Sequence, residues 1–142
     1  MALSLEIGQL RIPIKLSDMK SDQFSLQSRL RSFSYAGAGI FSFLKKEHNA
    51  WLHLIATVAV IVLGVITKLS AWEWISVLVA IGLVWVAEMF NTCFERLTDF
   101  ISPGQHPQIK LIKDMAAGAV LIAAVISLII GLIIFIPHLL AW

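Results

Sequence analysis

The chain has 142 residues, 58% of them hydrophobic and 14% charged, with a net charge of +2 and a mean hydropathy of +0.85. A soluble domain of this length needs more polar surface, so a water-soluble globule is excluded and a bilayer is the fitting solvent. The single cysteine, Cys93, excludes an internal disulfide, and neither zinc-ligand spacing nor a Gly-x-x-x-x-Gly-Lys phosphate loop is present.

In chain order, residues 1–22 mix Leu and Ile with Glu6, Arg11, Pro13, Lys15 and Asp18, and lack the apolar core and small-residue cleavage site of a signal peptide. They are expected to form a flexible extension, with Met19 as an alternative initiator. Residues 23–142 are expected to form one membrane domain. Its first element is an amphipathic surface helix over 23–48, with Phe24, Leu30, Phe33, Ile40, Phe41 and Leu44 as apolar area and Arg29, Arg31, Lys45 and Lys46 as the basic side. Three spans follow, over about 51–68, 72–99 and 108–136. The second continues as a polar-striped helix until Ser102-Pro103-Gly104 breaks it, and Pro137 closes the third. The predicted fold class is therefore an all-α integral membrane protein, a surface helix plus three transmembrane helices.

The third span carries Ala119, Ala123, Ser127 and Gly131 four residues apart, a spacing that lets helices approach closely in lipid. Cys93 is expected as a small packing residue. Trp51, Trp72, Trp74 and Trp142 fall at span ends, as an interfacial aromatic belt requires. Basic residues set the orientation. Seven precede the first span, Arg96, Lys110 and Lys113 flank the second loop, and only Lys68 lies on the other side. The positive-inside rule puts the N-terminus and the 100–109 loop in the cytoplasm and the C-terminus outside.

The second helix holds Glu88, Asn91, Thr92, Glu95 and Asp99, at offsets of three, four, seven and eleven from Glu88. At about 3.6 residues per turn all five share one face. Carboxylates facing lipid are costly, so this stripe should face other helices or a wet cleft. Lys110, Lys113 and Asp114 lie just beyond the loop, and Glu47, Asn49 and His53 lie at the start of the first span, at the same level. These residue types suit phosphoryl transfer. Carboxylates hold Mg²⁺, lysine offsets phosphate charge, and a further carboxylate takes the proton of an attacking hydroxyl. Glu88 lies deepest in the membrane, where a lipid alcohol would arrive, and is the best-placed base. The pattern alone also allows a structural ion pair such as Glu95–Lys113, interhelical hydrogen bonding by Asn91 and Thr92, or a proton relay.

The run Glu88-Met-Phe-Asn91-Thr92-Cys-Phe-Glu95-Arg-Leu-Thr-Asp99 resembles the signature of the small bacterial diacylglycerol kinase and undecaprenol kinase family. So do Lys113-Asp114-Met115-Ala116-Ala117, and Glu47, Asn49 and His53 upstream, with Arg31, Tyr35 and Gly39 matching the surface-helix pattern. The resemblance implies a homotrimer in the bacterial cytoplasmic membrane, with sites built between helices. It implies Glu88 as the catalytic base, and Glu88 with Asn91 as the contacts to the lipid alcohol. Glu47 and Glu95 would hold the Mg²⁺ that carries ATP. Lys113, Asp114 and Tyr35 would contact the nucleotide, and Asn91, Asp99 and Asn49 would give polar support. Trp51 and Ala38 depart from the family pattern, which has arginine or a polar residue at the first and lysine in one branch at the second.

The His106-Pro107 loop and the ending Gly131-Leu-Ile-Ile-Phe-Ile-Pro137 resemble the undecaprenol kinase branch. The expected function is ATP-dependent phosphorylation of undecaprenol, with diacylglycerol as the alternative acceptor. Readings of another class are a small ion- or proton-coupled transporter subunit and a non-enzymatic assembly subunit. No nucleic-acid partner is expected.

Overall fold

The computed structural model describes residues 3–7, 10–14, 25–102, 104 and 106–141. The chain divides into two units, Met1–Ala38 and Gly39–Trp142. Within the expected extension, β1 (Leu3–Ile7) pairs antiparallel with β2 (Leu10–Ile14), in a register that sets Leu3 opposite Ile14 and Ile7 opposite Leu10. The rest of that extension lies outside the described residues.

Four helices follow: α1 (Leu26–Lys46), α2 (His48–Ile66), α3 (Ala71–Ile101) and α4 (Pro107–Leu140). The last three are long and apolar enough to cross a membrane, as expected. The lengths set the depths. α2 has 19 residues, and at about 1.5 Å per residue it just crosses a hydrocarbon core of about 30 Å. α3 has 31 residues and α4 has 34, so both project beyond that core. Counted from Ala71, Glu88 lies about 26 Å along α3, inside the apolar layer, whereas Glu95 lies about 36 Å along, outside it.

The end of the bundle at the α2–α3 turn is the well-packed end. Leu69, Val77, Ile134 and Phe135 form its buried core, flanked by Val60, Leu63, Trp74, Ile81 and Ile130. Local chemistry builds the turn. α2 ends with Leu69 N–H donating to Gly64 O at 3.1 Å and Lys68 N–H to Val65 O at 3.2 Å, the paired bonds of a Schellman cap. Lys68 takes the left-handed conformation there, with φ 54°. α3 then opens on a capping box. Ser70 Oγ accepts from Glu73 N–H, and the Glu73 carboxylate accepts from Ser70 N–H at 2.7 Å.

α3 packs far more closely on α4 than on α2. The small residues of α4 explain this in part. Ala123 is buried, and Ser127 Oγ donates to Ala80 O of α3 at 3.0 Å. The close approach does not extend along the whole stripe, because Ala119 is exposed and a side chain at Gly131 would meet nothing within 4 Å. α2 is held away from α4, and a cavity of about 430 Å³ lies between α2, α3 and α4, with Thr57, Val77, Val84, Trp85 and Ser127 among its walls.

Three expectations are corrected. Pro137 does not close the third span: α4 continues to Leu140, because a proline removes one intrahelical bond without ending a helix whose flanking turns are satisfied. Cys93 is exposed rather than packed. Trp74 is not an interfacial anchor; it is half-buried on the core and packs over Gly64. Trp51 and Trp72 are exposed as an aromatic belt requires, and Trp142 lies outside the described residues.

Candidate functional site

The polar residues gather at the opposite end of the bundle, around the α1–α2 junction and the α3–α4 loop. The junction is short because α1 and α2 are separated by Glu47 alone. Glu47 is the N-cap residue of α2, with extended backbone (φ −102°, ψ 121°), yet its side chain makes no capping bond. Instead its Oε1 accepts from Arg96 Nη2 of α3 at 2.7 Å. The carboxylate expected to bind metal is thus turned toward α3.

On α3 the expected polar face is graded by depth. Glu88 is 3% exposed, Asn91 6% and Thr92 5%. Glu95 is half-buried and Asp99 exposed, and the buried face continues to Thr98 instead. Helical offset keeps Asp99 on the same side as Glu88, but Asp99 lies in the last turn of α3, which ends at Ile101, and there it stays exposed beside Lys113 of α4. Thr98 satisfies its hydroxyl locally, donating to Phe94 O at 2.8 Å. Asn91 Nδ2 donates to Glu95 Oε1 at 3.1 Å, whereas Asn91 Oδ1 is buried and accepts from nothing among the described residues. Glu88 makes no hydrogen bond or ion pair among them either. A carboxylate on a nearly buried residue, with no partner to offset its charge, is costly, so this one stands out from a structural residue.

α4 supplies the remaining groups. Lys113 Nζ contacts Asp99 Oδ1 at 2.5 Å, and Lys110 Nζ contacts Asp114 Oδ2 at 3.0 Å, one turn along the same helix. The structural ion pair weighed for Lys113 therefore forms with Asp99, not Glu95. Asp99, Ser102, His106, Lys110, Lys113 and Asp114 border a cleft of about 680 Å³. His106 helps shape it as the N-cap of α4, its Nδ1 accepting from Gln108 N–H at 3.2 Å.

A divalent cation can be tested against this donor set. No three of the described His, Cys, Asp and Glu side chains gather around one metal position. Mg²⁺ does not require such a cage, since it retains waters and takes one or two carboxylates beside phosphate oxygens. Glu47, Glu95 and the unpartnered Oδ1 of Asn91 fit that demand: all are oxygen donors, and the last is a buried acceptor lacking a donor or cation.

Of the expected site residues, the structure joins Asn91 to Glu95, Asp99 to Lys113 and Asp114 to Lys110. Asn49 is exposed and makes no hydrogen bond among the described residues, and Tyr35 is 72% exposed on α1. Two features escaped the sequence. Arg96 entered only as one positive charge near a loop, and its spacing to Glu47, 49 residues, carries no periodic signal. Trp85 lies within an apolar run and carries no signal of its own in the sequence. Its Nε1 donates to Thr57 Oγ1 at 2.9 Å, and its ring meets Phe43 edge-on at 6.1 Å and His53 at 6.4 Å.

Comparison with known proteins gives a family match and two relatives. The sequence profile of the prokaryotic diacylglycerol kinases matches residues 34–135. An undecaprenol kinase from Bacillus subtilis is 41% identical over 122 residues, 86% of this chain and 99% of that protein. A diacylglycerol kinase from Synechocystis sp. is 34% identical over 113 residues, 79% of this chain and 65% of that protein.

Proposed function

Because the chain belongs to the prokaryotic diacylglycerol kinase family, we propose that this membrane-embedded lipid kinase transfers the γ-phosphate of ATP to undecaprenol, with diacylglycerol as the second candidate acceptor. The observation that carries the reading is Glu88: a residue 3% exposed, about 26 Å along α3 by helical rise, with no partner for its carboxylate among the described residues.

The chemistry follows from where the groups lie. A lipid alcohol enters from the bilayer and brings its hydroxyl to the depth of Glu88. Its tail has an apolar path, because Val84 and Trp85, one turn away, border the cavity between α2, α3 and α4. The Glu88 carboxylate accepts the hydroxyl proton as the alcohol oxygen forms its bond to the γ-phosphorus. The bond from that phosphorus to the β–γ bridging oxygen breaks, and ADP leaves. Asn91, one turn beyond Glu88, orients the alcohol. Lys113 serves the phosphates once it leaves Asp99, with Asp114 as a further nucleotide contact and Asp99 and Asn49 as polar support. Glu47 and Glu95 would hold Mg²⁺, which when bound supplies neutralisation of phosphate charge. Little covalent work is asked of the protein; positioning and electrostatics carry the rate.

The same reading places the N-terminus and the 100–109 loop in the cytoplasm, where ATP is found, and the C-terminus outside, on the distribution of basic residues. It takes the assembly as a homotrimer, as the resemblance implies. The transporter reading finds no support. Both relatives are kinases, and residues 75–87 and 116–136 carry no charged side chain that would relay an ion across the layer.

The test is phosphate transfer from labelled ATP by purified protein in lipid–detergent micelles, with undecaprenol and diacylglycerol offered side by side. Labelled undecaprenyl phosphate that disappears in the Glu88→Gln variant is the expected result. Label on diacylglycerol alone would reassign the acceptor, and label on neither, from folded protein, would overturn the reading.

A further inference from the structure

Arg96 is a charged residue of this end of the bundle that the reading above leaves without a task. It stands next to Glu95, so its backbone lies beside one proposed metal ligand while its guanidinium is bound to the other, Glu47, at 2.7 Å. Three features set this contact apart from a structural staple. It is monodentate: Nη2 meets Oε1, and Nε and Nη1 make no hydrogen bond among the described residues. A guanidinium fixed for stability uses its planar fork in pairs. The Arg96 side chain is 45% exposed and that of Glu47 27%, and an ion pair so open to solvent adds little to stability. Finally, Glu47 gives up the capping of its own helix to make the contact, leaving the first N–H groups of α2 without a side-chain acceptor.

The charges are also in conflict with the loaded site. A divalent cation on Glu47 cannot share that carboxylate with a guanidinium, because the two positive charges repel at contact distance. Displaced from Glu47, Arg96 stays anchored on α3 next to the metal and needs a new anion. The phosphates that arrive with the metal are the matching acceptors for a planar five-donor fork.

Resting on the assignment of Glu47 and Glu95 to the metal, we infer that Arg96 is a nucleotide-phosphate ligand that guards Glu47 in the empty site and passes to the phosphates when a divalent cation takes Glu47. The handover makes Arg96 oppose the metal alone and favour the metal–nucleotide pair.

That pair of opposite signs is the test. Binding of Mn²⁺ alone, and of Mg²⁺ with a non-hydrolysable ATP analogue, is measured by calorimetry on purified protein in micelles. Mn²⁺ serves as an oxygen-seeking stand-in for Mg²⁺. Arg96→Gln should tighten Mn²⁺ by about threefold and weaken the analogue by about tenfold, the loss of one charge-assisted contact. Weakening of both, as a lost staple would give, overturns the inference. So does tightening of both, or no change in either.

A second measurement needs no variant. Modification of Arg96 by phenylglyoxal, read by mass spectrometry on the unaltered protein, should rise with Mn²⁺ alone and fall when the analogue is added. Labelling indifferent to both additions overturns the inference even if Arg96→Gln fails to fold. Glu47→Gln and Glu95→Gln separate the two levels of the argument. If both bind Mn²⁺ as the unaltered protein does, the metal assignment itself is wrong and the handover falls with it. If they lose Mn²⁺ while Arg96→Gln leaves the analogue untouched, only the handover is wrong.

Discussion

Trp85 Nε1 donates to Thr57 Oγ1 at 2.9 Å, and this bond ties the loosely packed α2 to α3 in the interior of the bundle. The indole is half-buried and has no other acceptor among the described residues, so the hydroxyl matters more than its size suggests. Thr57→Val keeps the shape and orphans the N–H. It should lower stability by about 1 kcal/mol, the usual net value of such a bond and of interhelical bonds in lipid. Trp85→Leu, which also removes the edge contact with Phe43, should cost more. Thermal unfolding in micelles, followed by circular dichroism, gives the order; equal losses would show that the ring, not the bond, holds α2.

Glu88 presents the opposite case, a residue whose presence opposes stability. Burying an unpaired carboxylate is unfavourable, and active sites commonly retain such groups at a cost in stability. Glu88→Gln should abolish phosphate transfer, leave binding of the ATP analogue within about twofold, and raise the melting temperature, because a neutral amide is cheaper to bury. A fall in melting temperature would mean that the charge has a partner that holds the fold.

Glu95 differs from Glu88 in depth, lying about 36 Å along α3 against about 26 Å. Its oxygen already accepts from Asn91, so Glu95→Gln removes a charge without emptying the position. Half-saturation of transfer by Mg²⁺ should move up about tenfold, with the maximal rate at saturating Mg²⁺ largely recovered. An unchanged Mg²⁺ titration would remove Glu95 from the metal.

The turn between α2 and α3 makes two predictions of opposite sign. A Cβ on Gly64 would lie 2.9 Å from Trp74 Cη2 and 3.1 Å from Leu69 Cδ1, both in the packed core. Gly64→Ala should destabilise by about 1–3 kcal/mol through overpacking. Lys68, at φ 54°, occupies the position of the Schellman cap that glycine fills without strain. Lys68→Gly should stabilise by about 0.5–1 kcal/mol. Both are read from melting temperatures, and a neutral Gly64→Ala would show that Trp74 has room to move.

The sequence by itself determined the membrane class, the number of helices and the acidic stripe of α3, because each is a local property. A run of apolar residues must be helical in lipid, where every backbone group needs an internal partner, and residues three or four apart must share a face. It also carried the family, since Glu88, Asn91, Glu95, Asp99, Lys113 and Asp114 keep their spacing wherever the helices lie. What it left open is which of these groups meet. Lys113 pairs with Asp99 and not Glu95, Asp99 is exposed while Thr98 is buried, and Glu47 abandons its helix cap for Arg96 49 residues away. Those choices depend on how α3 lies against α4 and where α1 hands over to α2. No periodicity encodes the distance between two side chains on different helices; packing decides it, and only the tertiary structure records the outcome.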